Sequence, residues 1–456
     1  MTKDAQVILD EIDETWKDET YGPGGFAGVY IKMFSSGKKV DLRFLRVDFL
    51  TRVDQTLAVK KVRTFLSVSP IPRPIKIPAP TNSPPIYDEG YRRPAILQNR
   101  EFTMLSNGLS VTGISGYLGA HIVEQLVRQG LRVRGTVRSA KLAATKDAFK
   151  IYGKAVEVVA VDDLIEASYA VALQGVDAVI HQASPMPGRE ATAEEALDAA
   201  IEGSLNILRQ AEQAGIKKFS YCSSIITFTL DISGDRPYLR DDEWTAVTRE
   251  DVANAKERNL HNRTLIYAAE KTLAERAVWE FVDQHPHIEL TSINAGYFLG
   301  PFPPAYKTPF NTPESFSPNV NFTSMGYFFS VLHAQGPPPP DSFVDVRDVA
   351  RALVLGLTAS PASRVGRKRI LLGSDARPQP SEVIALINQQ RPELARRINE
   401  EYKAARGNLK HFIDNKRAKE VLGLVPIPWQ KTVLDAVDAL VKLEDEWRAS
   451  GKLVDY

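Results

Sequence analysis

The sequence predicts an α/β fold, a doubly wound parallel sheet with helices on both faces, and three observations carry that prediction. From about residue 104 onward, short β-rich runs alternate with segments of helical spacing. A glycine-rich turn lies between the first of those runs and the first of those helices. No internal repeat of 20–50 residues competes with this pattern.

The expected strands are Leu109–Thr112, Arg132–Val137, Val156–Val161, Ala178–His181, Phe219–Ser223 and Leu290–Asn294. Between the first two, Ile122, Val123 and Leu126 share a helical face before a terminating Gly130. The first strand is unusually short, interrupted upstream by Ser106, Asn107 and Gly108. Residues 1–69 form an N-terminal extension of unassigned role, in which alternation in VDLRFLRVDFL suggests a strand. Residues 70–103 read as a stiff linker, because eight prolines fall at positions 70, 72, 74, 78, 80, 84, 85 and 94. The rest, 104–456, is expected to be one unit. Its cofactor-binding core lies mainly in 104–300 and a smaller substrate-binding region mainly in 225–262 and 300–456.

Bulk composition narrows the function classes. The chain has 456 residues, 43% apolar and 25% charged, with a formal charge of +1 and no basic stripe. Neither a nucleic acid nor an anionic membrane is an expected partner, and no apolar run approaches the length of a spanning helix. The single cysteine, Cys222, excludes an internal disulfide and fits a reducing compartment. The acidic N-terminus has no hydrophobic signal core, so a cytoplasmic protein is expected.

The chemistry begins at SVTGISGYLGAHIVEQLVRQG, where Gly113, Gly116 and Gly119 form a G-x-x-G-x-x-G turn. Such a turn lets backbone approach a pyrophosphate and aims a helix N-terminus at it, which makes the sheet Rossmann-type. Gly113, Ser115, Gly116, Tyr117, Leu118 and Gly119 are therefore the expected cofactor contacts. The second strand ends at Arg138, where a site for NAD normally carries an acidic residue; a guanidinium instead matches the 2′-phosphate of NADP(H), and Lys141 adds a second cation. Asp163, followed by Leu164, stands where an adenine contact belongs, although a turn cap is an equal reading of Asp163.

Further along, LIYAAEKTLAERAVWEF places Tyr267 and Lys271 one helical turn apart on one face. They follow Ser223–Ser224, at the end of a short strand, by about 43 residues. Carbonyl reduction needs a hydride on carbon and a proton on the oxygen. A free tyrosine, of pKa about 10, is a slow proton shuttle at neutral pH, and an adjacent ammonium favours its phenolate. A serine hydroxyl can stabilise the charge that develops on the oxygen.

Residues from about 109 to 445 resemble the extended short-chain dehydrogenase/reductases. Within them they resemble the branch of dihydroflavonol reductase, cinnamoyl-CoA reductase and the yeast-type methylglyoxal, aldehyde and ketone reductases. The pieces that carry the likeness are VTGISGYLGAHI, VRGTVRSAK, VDDL, GVDAVIHQASP, EGSLNILRQA, KKFSYCSSI, YAAEKTLAERAVWEF, INAGYFLGP and FVDVRDVARALVLGL. The resemblance implies Ser224 as catalytic serine, Tyr267 as proton donor and Lys271 as its partner, with Ser223 structural. It also implies NADP(H) on Arg138, Ala183 near the ribose, and Ser184–Met186 near a small-molecule carbonyl substrate. Two departures stand out: Asn294 is followed by Ala295 instead of proline, and Cys222 stands two residues before the catalytic hydroxyl.

The seven histidines show no ligand spacing, and no metal is expected. Asp345, Arg347 and Asp348 read as a structural charged network, and Asn206 as a support for active-site backbone. Specificity is expected from Ser184–Met186, from 225–262, from 297–310, and from the proline-rich 311–343. Monomer and homodimer are both open. Two other functions share this fold: an NAD-dependent sugar-nucleotide epimerase or dehydratase, and a non-catalytic NADP-sensing regulator. Arg138 speaks against the first and the Tyr–Lys pair against the second.

Overall fold

In the computed structural model, the described residues are 105–452, apart from 106, 185–191, 230–238, 240–241, 256–259, 310–311, 317–322, 334–342, 400–401 and 404–412, together with four short strands between 29 and 47. The chain divides into two units, Met1–Arg92 and Arg93–Tyr456. In the first, Val29–Ile31 pairs antiparallel with Leu45–Val47, and Phe34–Ser36 with Lys39–Asp41. Strand is thus found in the patch where alternation suggests it, in two pieces rather than one.

The second unit is built on seven parallel strands. They are β1 (Leu109–Thr112), β2 (Val133–Val137), β3 (Val156–Ala160), β4 (Ala178–His181), β5 (Lys218–Ser224), β6 (Glu289–Ala295) and β9 (Lys368–Leu372), in the order β9-β6-β5-β4-β1-β2-β3. A separate parallel pair joins β7 (Tyr297–Leu299) to β8 (Phe343–Asp345). Strands β1, β4 and β9 are buried along their whole length, as expected of a sheet covered on both faces. The chain winds outward in both directions from β1, so the crevice beyond the carboxyl ends of β1 and β4 is where a ligand of such a sheet sits. All six strands expected from the sequence are present.

The shortness of β1 has a local cause. Gly108 adopts φ +112°, a turn that a side chain would resist, and the bend is tied down by Asn107, whose N–H and Nδ2 donate to Asp177 at 2.8 and 2.9 Å. Leu105, just upstream, is part of the core.

Eight helices matter for the site: α1 (Tyr117–Arg128), α2 (Ser139–Phe149), α3 (Ala193–Gln213), α4 (Leu260–Gln284), α5 (Ser324–Phe329), α6 (Val346–Gly356), α7 (Pro380–Gln390) and α8 (Trp429–Ala449). Helix α3 starts in a capping box on Thr192 and Glu195 and packs along α4. Helices α1 and α6 pack together on the sheet, with Val123, Leu126, Val349 and Leu353 in one core cluster. A second cluster, including Phe316, Phe329, Ile387, Leu440 and Trp447, unites α5, α7 and α8 into the smaller C-terminal part. The expected charged network lies here. Asp345 caps α6 and pairs with Arg347, which also pairs with Asp435 of α8, and Asp348 accepts from the Ile427 N–H. Burial first, and then Asp345, push the Asp348 carboxyl up to about 7. No described helix is long and apolar enough to cross a membrane.

Candidate active site

The glycine turn grows from the end of β1. Gly113 takes φ +71°, and its N–H donates to the Thr136 carbonyl of β2. A Cβ at Gly119 would stand 2.5 Å from the Gly113 carbonyl oxygen and 2.8 Å from the Ile114 Cα, so only glycine lets α1 lie this close to the turn. Helix α1 begins on Gly116, which has no side chain to cap it. The first-turn N–H groups of Tyr117, Leu118 and Gly119 therefore have no intrahelical acceptor and suit an external anion. This is a cradle that fits a pyrophosphate.

Two residues outside the motif brace it. The Gln182 amide donates to the carbonyls of Thr112 and Gly113, both at 2.6 Å. Thr112 Oγ1 accepts from the N–H groups of Gln182 and Ala183, each at 3.0 Å. With both lone pairs taken, its hydroxyl donates to His181 Nδ1 at 2.9 Å, which leaves the imidazole proton on Nε2. Burial, reinforced by the charge of Lys271, lowers His181 to about 3 and keeps it neutral. Ala183 thus lines the crevice with its N–H already engaged.

Tyr117 differs from a simple cofactor contact. Its ring meets His121, Phe302 and Tyr306, and its buried hydroxyl has no hydrogen-bond partner among the described residues. Its side chain is committed to that cluster, which leaves its N–H as the group offered to the crevice.

At the end of β2, Arg138 is the exposed N-cap residue of α2. It forms no contact ion pair among the described residues, and its electrostatic neighbour is Asp162. Asp162, which the sequence reading passed over, takes the Ser139 N–H and hydroxyl at 2.6 and 2.5 Å and so fixes the start of α2 beside Arg138. Lys141 follows in the first turn of α2, its N–H on the Arg138 carbonyl. Asp163 caps a turn, its Oδ1 accepting from the N–H groups of Ile165 and Glu166. Leu164 lies over Gly203 of α3, where any Cβ would collide with it, and Asn206 donates to the carbonyls of Leu164 and Ala167. Asn206 thus supports this loop rather than the backbone beside the catalytic candidates.

The catalytic candidates meet at the carboxyl end of β5. Ser224 ends the strand and caps the helical turn Ile225–Thr227, its Oγ accepting from the Ile226 N–H at 3.3 Å. Helix α4 packs against that turn. On α4, Lys271 Nζ lies 6.0 Å from the centre of the Tyr267 ring. Burial opposes the ammonium of Lys271, but Tyr267, Tyr221, Cys222 and Glu270 outweigh it and raise its pKa above the usual lysine range. Beneath the pair, His181 stacks on Tyr221 at 5.8 Å. Burial raises the thiol of Cys222 to about 11, as befits a small buried hydrophobe.

A buried charge cluster anchors this corner, and sequence reasoning missed it. Glu275, one turn beyond Lys271, accepts from Ser223 Oγ (2.7 Å), Ser292 Oγ (2.8 Å), Asn294 Nδ2 (2.7 Å) and Arg369 Nε (3.1 Å). Arg369 lies between the rings of Phe228 and Trp244, at 3.6 and 3.7 Å, and donates to Thr227. One carboxylate thereby fastens α4 to β5, β6 and β9. Ser223 is structural, and Asn294 holds the Ile225–Thr227 turn through Thr227.

On the side where a substrate is expected, Tyr297 of β7 is half-buried and meets Tyr327 of α5 edge-on at 5.7 Å. Burial first, then Tyr327 and Tyr267, raise its phenol well above the ordinary range, so it stands in the field of Tyr267. Ser184 is half-buried at the crevice rim, and Met186 lies outside the described residues.

The profile of the NAD dependent epimerase/dehydratase family matches residues 109–368, more than half of the chain, from the glycine turn through Ser224, Tyr267 and Lys271. The chain belongs to that family. It is 30% identical to Aldehyde reductase 2 of Sporidiobolus salmonicolor over 273 residues, 57% of this chain and 74% of that one. It is 27% identical to Cinnamoyl-CoA reductase CAD2 of Medicago truncatula over 358 residues, 74% of this chain and 96% of that one. The fold is that of the yeast methylglyoxal/isovaleraldehyde reductase Gre2 in its NADPH complex, with TM-score 0.59 and 22% identity over 74% of this chain and 99% of that one.

Proposed function

We propose that this family member is an NADPH-dependent reductase of aldehydes or ketones, with Tyr267 as the proton donor. The observation that carries the reading is the buried Lys271 ammonium facing the Tyr267 ring, one strand away from the cradle at Gly113–Gly119. The names of the relatives, an aldehyde reductase and a cinnamoyl-CoA reductase, point the same way.

Arg138 and Lys141 suit the 2′-phosphate, because an exposed guanidinium that forms no contact ion pair among the described residues offers a two-pronged site to phosphate oxygens. Bound at the turn, NADPH supplies a hydride to the carbonyl carbon. Ser224 Oγ accepts from Ile226 and keeps its own proton, which it can donate to the carbonyl oxygen. As charge develops there, Tyr267 gives up its proton, and Lys271 stabilises the phenolate left behind. His181, neutral and fixed, forms the floor without competing for that proton.

The test is consumption of NADPH, followed by absorbance, with a panel of aldehydes and ketones and with NADH in parallel. Turnover that prefers NADPH supports the reading. Turnover only of a sugar nucleotide with NAD, or cofactor binding with no turnover of any carbonyl, contradicts it. We also assign the chemistry to residues 104–456, with 1–69 as an extension of unassigned role and 70–103 as a linker. A chain beginning at Met104 should then match the full-length kcat/KM, and an inactive one would make the extension part of the catalytic unit.

A further inference from the structure

Arg263, Tyr267 and Lys271 succeed one another at intervals of four along one side of α4, with neighbouring Cβ atoms roughly 5–6 Å apart. Tyr267 is thus flanked by two cations. Lys271 is spoken for, buried against Tyr267, Tyr221 and Glu270. Arg263 is not. It is half-buried, its Nε is enclosed without a hydrogen-bond partner, and it forms no ion pair among the described residues. Enclosed donors in folded proteins almost always have partners, and exceptions call for a specific explanation.

Its surroundings supply one. Tyr327 senses the Arg263 charge, the Tyr327 ring abuts Tyr297, and Tyr297 in turn stands in the field of Tyr267. Arg263, Tyr327, Tyr297 and Tyr267 therefore follow one another around the part of the cleft away from Lys271. A guanidinium in such a wall favours an anion, and a single cation flanked by phenol hydroxyls matches a monoanion with two acceptor oxygens.

We propose that Arg263 anchors a carboxylate on the substrate, so that the site takes oxo-acids whose carboxylate lies a few bonds from the carbon that is reduced. The assignment rests on the reductase reading above and names its substrate class. Because Arg263 is one turn from the proton donor, a compound of about four carbons spans the distance from carbonyl to anchor.

The test compares succinate semialdehyde with its methyl ester, using NADPH and the full chain. The wild type should favour the acid in kcat/KM by about tenfold or more, the effect of one charge-assisted contact. Arg263→Gln should bring the acid-to-ester ratio to near one, mainly through the KM of the acid, and Arg263→Lys should retain part of the preference. NADPH binding, read by its fluorescence, reports whether each variant has folded. A wild type that reduces the ester at least as well as the acid, or a ratio indifferent to Arg263→Gln in a folded variant, overturns the anchor and leaves the reductase reading standing. A protein that binds NADPH yet reduces neither compound nor any neutral aldehyde overturns both.

Discussion

The two walls of the cleft are built by different means. The cofactor wall is mostly backbone: positive φ at Gly113, close approach at Gly119, and carbonyls held by the Gln182 amide. The substrate wall is mostly side chains brought from distant segments, namely Arg263 on α4, Tyr297 on β7 and Tyr327 on α5. A backbone cradle tolerates no variation in the spacing of its glycines. A wall of side chains can be exchanged residue by residue, which lets one scaffold serve many carbonyl compounds. Tyr267 and Lys271 stand between the walls.

The sharpest cut along that boundary is Tyr267→Phe. We expect turnover to fall about 100- to 10,000-fold, the range for a lost general acid, with NADPH affinity nearly unchanged. Lys271→Ala should lose comparable activity and also weaken NADPH binding. Stopped-flow reduction and cofactor titration measure the two properties separately. Near-normal turnover by Tyr267→Phe would remove the tyrosine from its role.

Helix α4 rests on the Glu275–Arg369 pair, so losing one partner should loosen the helix that carries Arg263, Tyr267 and Lys271. Arg369→Ala leaves Glu275 buried and unpaired, a change that costs about 3–5 kcal/mol. Denaturant melts should register that loss, and the double variant Glu275→Leu/Arg369→Met should recover much of it. If Arg369→Ala altered substrate KM alone without lowering stability, the pair would not be the anchor of α4.

A one-sided change is Arg138→Asp. It replaces attraction for the 2′-phosphate by repulsion, and the ratio of kcat/KM for NADPH over NADH should fall about 10- to 100-fold, at 1–3 kcal/mol of charge-assisted bonding. Carbonyl specificity should not follow. A wild type that already prefers NADH would refute the role of Arg138.

The smallest effect tests a strut between the walls. His121 of α1 donates from Nε2 to the Pro301 carbonyl at 2.9 Å, and burial, outweighing that bond, lowers its pKa to about 4. Its folded pKa lies below its unfolded value near 6.5. Its contribution is therefore present above about pH 6.5 and is lost as pH falls toward 4, by at most about 1.4 kcal/mol per pH unit. Melting temperatures between pH 7.5 and 4.5 should decline less steeply in His121→Gln. An unchanged slope would assign the acid sensitivity to other groups.

The same contrast decides what could be read from the sequence. The cradle was legible because Gly113, Gly116 and Gly119 act within seven residues, and Tyr267 with Lys271 within one helical turn. Six strands were legible because each is a short β-rich run alternating with a segment of helical spacing. The seventh, KRILL in β9, was not, because it opens with two basic residues. Both are buried, since Lys368 meets Glu289 and Arg369 meets Glu275 at separations of 79 and 94 residues. Thr112 and Gln182 escaped notice for a similar reason, their partners being fixed only once β1 and β4 lie side by side. The role of Arg263 is a matter of what it lacks, and a lack of partners has no signature in a chain.

The separation of Glu275 from Arg369 also bears on how the protein is made. During synthesis, α4 leaves the ribosome with Glu275 on its inner side, and 94 more residues must follow before the matching guanidinium exists. Through that interval the carboxylate must stay hydrated, because enclosing it alone costs several kcal/mol. Helix α4 should therefore not settle against β5 and β6 until β9 arrives, so an incomplete chain ending before Lys368 would emerge with its glycine cradle formed and α4 still undocked.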